Sequence, residues 1–381
     1  MLDPGELRIA RDMMACRTAA LGGHLEFCPS CGFERPAYNS CRNRHCPKCQ
    51  SLRGARWVAQ RLDRILPVHY FHVVFTLPSE LHELALRNRA LVFDLLLKCA
   101  AESLLTLGRD PKWFGRPAQL GVTTVLHTWA RDLHFHPHAH CIVTGGGLAL
   151  DGGAWVPAPQ QFLFPVHVLG ALFRGKFLDG LARMRARGLL RDDLDDRAAS
   201  RRRARLYKQS WVVYAKRPFG GAEQVYRYLG RYTHRVAISN SRLVSMNDDA
   251  VVFRTREQNT ATMTPVEFIR RFLQHRLPRG FVKIRHGGLL APTNVNGRLV
   301  RAKHLLSPGA SPSAAPSPPV QADDADHPDA DTADLPWPDL LRALTGLDLK
   351  VCPSCRCRTV VRLPLPLPPD CRGPPSNFPP N

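Results

Sequence analysis

Four histidines, His134, His136, His138 and His140, alternate with other residues in the run HFHPHAHCIV. An extended chain directs every second side chain to one face, so all four would share a face. Imidazoles two residues apart on a rigid strand can share one cation. A purely structural role would instead need several histidines satisfied side by side on an otherwise apolar strand. Pro137 has no N–H and is disfavoured inside a paired strand, so the regular strand is expected to begin after it, which favours His138 and His140 as ligands. Two histidines leave coordination positions open, as a Lewis acid acting on a phosphate requires. The third protein ligand is expected from His136, His134 or Gln224.

The segment 224–235, QVYRYLGRYTHR, carries a second group of chemically capable residues. Tyr228 and Tyr232 stand at i and i+4, one turn apart on a helix, and Gln224 precedes Tyr228 by the same step. Tyrosine is a competent nucleophile toward phosphorus when a metal or base favours its phenolate. Tyrosines at helical spacing are more often core or stacking residues, but Arg227, Arg231 and Arg235 interleave with this pair and suit phosphate contacts. Tyr226 falls on another face of the same helix and reads as structural.

Twelve cysteines make a third constellation. Cys28-Pro-Ser-Cys31 and Cys46-Pro-Lys-Cys49 match the two-knuckle ribbon in which each CxxC turn gives two thiolates to a tetrahedral zinc. Cys16, His24, Cys41 and His45 add four suitable ligands, enough for a second site or an alternative set. A closed four-thiolate site leaves no position for water, so this zinc is expected to fold the module and not to catalyse. Cys352, Cys355, Cys357 and Cys371 offer a weaker third set in Pro-rich surroundings. Cys99 and Cys141 read as buried apolar residues.

These groups must be held by an ordered scaffold. Short β-rich runs at 71–77, 121–128, 138–144 and 210–215 are separated by helical patterns at 80–107, 165–188 and 221–234, with strand-like RVAIS, RLVSM and VVFRTR after the last. That order predicts an α+β fold, with helices packed on a mainly antiparallel sheet. Segment 264–275 opens with Thr-Pro and a first-turn Glu, a good helix start. The expected division is a zinc module with a basic helix (1–66), a catalytic domain (67–306), a disordered Pro/Ala/Ser/Asp linker (307–338) and a tail (339–381) holding a short helix.

Lys and Arg outnumber Asp and Glu by 53 to 32, giving a net charge of +21. Seven of the acids are aspartates between Asp323 and Asp339, so the rest of the chain is more basic still. Such an excess favours a polyanion, because each phosphate neutralised releases counterions. Arg42, Arg44, Lys48, Arg53 and Arg56, in and beside the cysteine module, are the N-terminal candidates for DNA contact. No apolar stretch is long enough for a membrane span, and the N-terminus lacks a secretory pattern, so a cytoplasmic protein without membrane partners is expected.

The three motifs together resemble a known family. HFHPHAHCIV resembles the histidine-hydrophobe-histidine strand of HUH endonucleases, and YLGRY followed by THRVAIS resembles the two-tyrosine helix of rolling-circle transposases. YNSCRNRHCPKCQ at 38–50 is similar to the zinc module of the insertion sequence 91 family. They occur in the family's order and span residues 10–300, although Ala139 between the paired histidines is smaller than the usual hydrophobe. The resemblance implies an HUH-type sheet behind a small zinc-ribbon-like module. It implies that a tyrosine attacks a DNA phosphate, leaving a 5′-phosphotyrosine and a free 3′-OH, with Mg²⁺ or Mn²⁺ polarising the phosphate. Tyr228 and Tyr232 would then act in turn at element and target. The zinc module and basic helix would recognise hairpin or single-stranded ends. There is no GxxxxGK[ST] loop, so unwinding is expected from a host helicase or the replication machinery. A plasmid replication initiator or relaxase would share the nucleophile and metal site, and a non-catalytic zinc-ribbon regulator would need only the charge and the CxxC pairs.

Overall fold

The computed structural model describes residues 3–62, 64–216, 237–256, 259–307 and 336–365. They divide into two compact units, one drawn from residues 1–63, 229–276 and 322–381 and the other from 64–228 and 277–321. The fold is α+β, and among the described residues every strand pairing is antiparallel.

The first unit begins with helix Pro4–Ala15, capped by Asp3, whose carboxylate accepts from the backbone N–H of Gly5 and Glu6. Strands β1 (Gly23–Phe27) and β2 (Glu34–Tyr38) form a hairpin. Helix Ser51–Leu62 follows it. A small sheet of β8 (Leu243–Met246), β9 (Val251–Arg254) and β10 (Thr260–Met263) is followed by helix Pro265–Gln274. The Thr264 hydroxyl accepts from Glu267 N–H at the start of that helix, as the Thr-Pro signal predicts. Segment RVAIS was expected to be strand-like, but its described residues, from Ala237 on, are not in a strand, and Ala237 is left-handed at φ 62°. The unit closes with helix Trp337–Thr345 and β12 (Val361–Leu365), which pairs with β1.

The second unit is built on a sheet ordered β11-β4-β5-β3-β7, with β6 pairing the far end of β5. Its strands are β3 (Tyr70–Thr76), β4 (Ala118–Trp129), β5 (Phe135–Ala149), β6 (Trp155–Pro157), β7 (Val213–Lys216) and β11 (Ile284–Gly288). Alternation decides which face is buried. Phe71, Val73 and Phe75 of β3, Leu126 of β4, and Ala139, Cys141 and Val143 of β5 point into one core. Helices Arg89–Arg109 and Val166–Ala186 supply the other half of that core. Leu169, Phe173, Phe177 and Leu181 recur every four residues, so one stripe of the second helix is buried. The two helices approach closely because Gly180 lacks a side chain: a Cβ there would lie 2.5 Å from Leu95 Cδ1.

Two expectations about elements need correction. The helix expected over 80–107 is broken at Asn88, between His82–Arg87 and Arg89–Arg109. The buried Asn88 amide donates to the carbonyls of Leu84 and Arg191 and accepts from Arg191 N–H, which holds it out of helical geometry. Pro137 lies within β5 and not before it. Pairing with β4 slips between His127↔His138 and Trp129↔Phe135, so two residues of β5 oppose one of β4. The missing N–H falls in this bulge, where the ladder asks for no donor.

Candidate functional site

The sheet face away from the helices carries the histidines. In register across the strands, His127 lies opposite His138, Val125 opposite His140, and Val74 on the other side of His140. His127, His138 and His140 each direct a ring nitrogen to a common point, all within 4.8 Å of one another. His127 is buried at 5% exposure, while His138 and His140 are half-buried.

Neighbouring groups set the tautomers. His138 Nδ1 lies 2.6 Å from the carbonyl oxygen of His136, which can only accept, so Nδ1 carries the proton and Nε2 keeps its lone pair. His140 Nδ1 lies 2.7 Å from Nε2 of His72 on β3, and the two rings stack at 5.0 Å. The tautomer in which His140 Nδ1 donates there leaves its Nε2 lone pair as a ligand atom. Burial holds His138 and His72 down to about 4, and pushes His127 and His140 well below the ordinary imidazole value, with neighbouring imidazoles adding to the shift. All are neutral at pH 7, the form that can bind a cation.

Of the third ligands expected, His134 and His136 do not join this group. His134 is exposed and bonded to Asp132 at 2.7 Å, and His136 contributes its carbonyl. Gln224 lies outside the described residues, as do Tyr228, Tyr232, Arg227, Arg231 and Arg235. His127 was not anticipated. The signal for it lay in hairpin arithmetic: a turn at 130–134 folds β4 back on β5 and sets 127 against 138.

Among the described residues the cysteines form two groups, and not the pairing that their spacing suggests. Cys16, Cys41, Cys46 and Cys49 gather at the end of helix Pro4–Ala15 and the start of helix Ser51–Leu62. Cys41 and Cys49 sulfurs are 3.8 Å apart, and Cys41 N–H donates to Cys16 Sγ. Cys28 and Cys31 gather instead with Cys352 and Cys355. The reason is topological: β2 carries the chain away from Cys28 and Cys31, so Cys46 and Cys49 close on Cys16 and Cys41. Neither His24 nor His45 joins a group. His24 lies 3.9 Å from Glu26, and His45 bonds to Asn43. Cys357 is exposed and outside both, and Cys371 lies outside the described residues. Cys99 and Cys141 are buried, and burial raises the Cys99 thiol to about 12. Arg42, Lys48 and Arg56 are exposed and Arg44 is half-buried, while the Arg53 side chain is outside the described set.

Comparison with known proteins decides the family. Residues 1–77 match the family described as "Transposase zinc-binding domain", and residues 121–298 match the one described as "Putative transposase". The chain is 43% identical over 369 residues to "Putative transposase y4qJ" of Sinorhizobium fredii, covering 93% of this chain and 88% of that protein. The chain belongs to the insertion sequence 91 family of transposases. It is also 28% identical over 324 residues to the "Transposase for insertion sequence element IS801" of Pseudomonas savastanoi pv. phaseolicola, covering 81% of this chain and 76% of that one. No solved structure matches the transposase at a significant level. The transposase is an enzyme acting on DNA, and its N-terminal module is a zinc-binding domain that holds both CxxC turns of the N-terminal segment. The histidine group falls within the second matched region. No helix among the described residues is long and apolar enough to cross a membrane.

Proposed function

We propose that this transposase nicks and joins single-stranded DNA at the ends of its element in rolling-circle transposition, using Tyr228 and Tyr232 as nucleophiles beside a divalent cation held by His127, His138 and His140. The observation that carries the reading is the convergence of three neutral imidazoles on the sheet face away from the core helices, in a chain of a transposase family. Mg²⁺ or Mn²⁺ at these nitrogens would polarise the scissile phosphate as a Lewis acid. The donor set fits Mn²⁺ better, since Mg²⁺ prefers oxygen ligands.

The tyrosine phenolate oxygen attacks phosphorus, the bond from phosphorus to the 3′-oxygen breaks, and that oxygen leaves as a 3′-OH after taking a proton. The 5′ side remains on the tyrosine as a phosphodiester. A 3′-OH from another strand reverses the step and frees the tyrosine, so bond energy is retained and joining needs no nucleotide cofactor. Two tyrosines allow element and target strands to be held in turn. Arg227, Arg231 and Arg235 would bind phosphates flanking the scissile bond, and Arg42, Arg44, Lys48, Arg53 and Arg56 would bind the element ends through the zinc module. Strand separation falls to a host helicase or replication.

Incubation with Mn²⁺ and a 3′-labelled single strand carrying an element end tests the reading. Label is expected to become covalently attached to the wild-type chain, and not when EDTA is present. Wild-type protein that cuts the strand without ever retaining label would sink the covalent mechanism.

A further inference from the structure

The C-terminal cysteines lie beyond the region matched by the zinc-binding domain, yet they sit against it. Cys28-Pro-Ser-Cys31 and Cys352-Pro-Ser-Cys355 are the same tetrapeptide, and they fold the same way. In the first turn Gly32 N–H donates to Cys28 O at 2.9 Å, and Cys28 N–H donates to Phe33 O at 2.9 Å. In the second, Arg356 N–H donates to Cys352 O at 3.0 Å, and Cys352 N–H donates to Cys357 O at 2.9 Å. Each turn is followed by a left-handed residue, Gly32 at φ 74° and Arg356 at φ 63°. Arginine adopts that conformation only at a cost, so its presence signals a turn held from outside.

The two turns face one another. Cys28 Sγ lies 3.6 Å from Cys355 Sγ, and Cys31 Sγ lies 3.7 Å from Cys352 Sγ. Four thiolates about 2.3 Å from a tetrahedral zinc have sulfurs about 3.8 Å apart, so the four are already at ligand spacing. Supporting contacts are present too: Thr359 Oγ1 lies 3.3 Å from Cys28 Sγ and is fixed by Ser30 Oγ at 2.9 Å. β12 then pairs with β1 from Phe27↔Val361 to Gly23↔Leu365, which makes a three-stranded ribbon out of the two ends of the sequence.

We infer that the C-terminal segment completes a second structural zinc site, formed by Cys28, Cys31, Cys352 and Cys355, which clasps β12 onto the N-terminal hairpin. The clasp joins cysteines 321 and 327 positions apart. It makes residues 352–365 part of the zinc module and not an appendage to it. With all four positions filled by thiolate, the metal is structural.

Metal analysis of the purified full-length chain, after removal of loosely bound ions, tests this. The wild type is expected to hold two zinc ions per chain, and the Cys352→Ser/Cys355→Ser variant one. Cys357→Ser is expected to keep both. As a guard against misfolding of the double variant, Cys355→His retains a fourth ligand. Its Co²⁺-loaded form is expected to show a weakened thiolate charge-transfer band while holding the wild-type metal count. A wild-type count of one, an undiminished count in the double variant, or an unchanged Co²⁺ spectrum in Cys355→His would overturn the inference.

Discussion

His127→Ala removes one of three nitrogen donors, and Mn²⁺-dependent strand cleavage is expected to fall by at least about 100-fold, because two imidazoles hold a labile cation weakly. His136→Ala is the matched control. Its side chain is outside the group, and the carbonyl that fixes the His138 tautomer is retained, so activity within a few-fold of wild type is expected. Equal losses in the two variants would mean that the triad is misassigned. Two of the three converging histidines, His138 and His140, were legible in the sequence because alternation puts them on one face with His134 and His136. The third was not, because a lone histidine in an apolar strand gives no sign of its partner until the strand register is known. The same limit applies to the cysteines: spacing identifies CxxC turns, but which turns face one another depends on long-range strand pairing.

At the level of elements, the histidine strand is rigid because it is central, with β4 on one side and β3 on the other. Its underside is covered by helix Arg89–Arg109, and helix Val166–Ala186 covers the neighbouring β3 side of the sheet, where Phe173 packs against Phe75 at 5.0 Å and Trp211 at 5.4 Å. Phe173→Ala leaves a cavity beneath the sheet and is expected to cost about 3–5 kcal/mol, read as a lowered denaturant midpoint. A change below about 1 kcal/mol would mean that the helix does not carry the sheet as described. Helices Val166–Ala186 and Pro265–Gln274 and strands β3, β4, β5, β7, β8 and β9 were legible because their periods differ, 3.6 against 2. Strands β1, β2, β6, β10, β11 and β12 and helix Asp196–Lys208 were not anticipated, and the helix expected over 221–234 lies outside the described residues. The bulge at Pro137 and the break at Asn88 were not legible, since each depends on a partner distant in sequence. Both occur next to the working face or its supporting helix, where the chain departs from local rules for tertiary reasons.

For the whole molecule, a charge of +21 makes DNA binding strongly salt-dependent. Arg42 and Lys48 are exposed beside the first cysteine group, so replacing both with alanine is expected to reduce the log–log salt slope for a single strand by about 1.4, at about 0.7 per phosphate contact. An unchanged slope would place the DNA elsewhere. Charge and composition made a polyanionic partner legible from the start, whereas they say nothing of which unit each segment joins: the C-terminal strand pairs with the N-terminal hairpin across almost the whole sequence. The central claim is that a tyrosine of the 228–232 pair carries the DNA strand while the histidine group holds the cation. Mass mapping of the peptide linked to DNA after reaction with Mn²⁺ tests it most directly. The account predicts a nucleotide adduct on Tyr228 or Tyr232, lost in the Tyr228→Phe/Tyr232→Phe variant and in His138→Ala. An adduct on any other residue, or its persistence in the double phenylalanine variant, would contradict it.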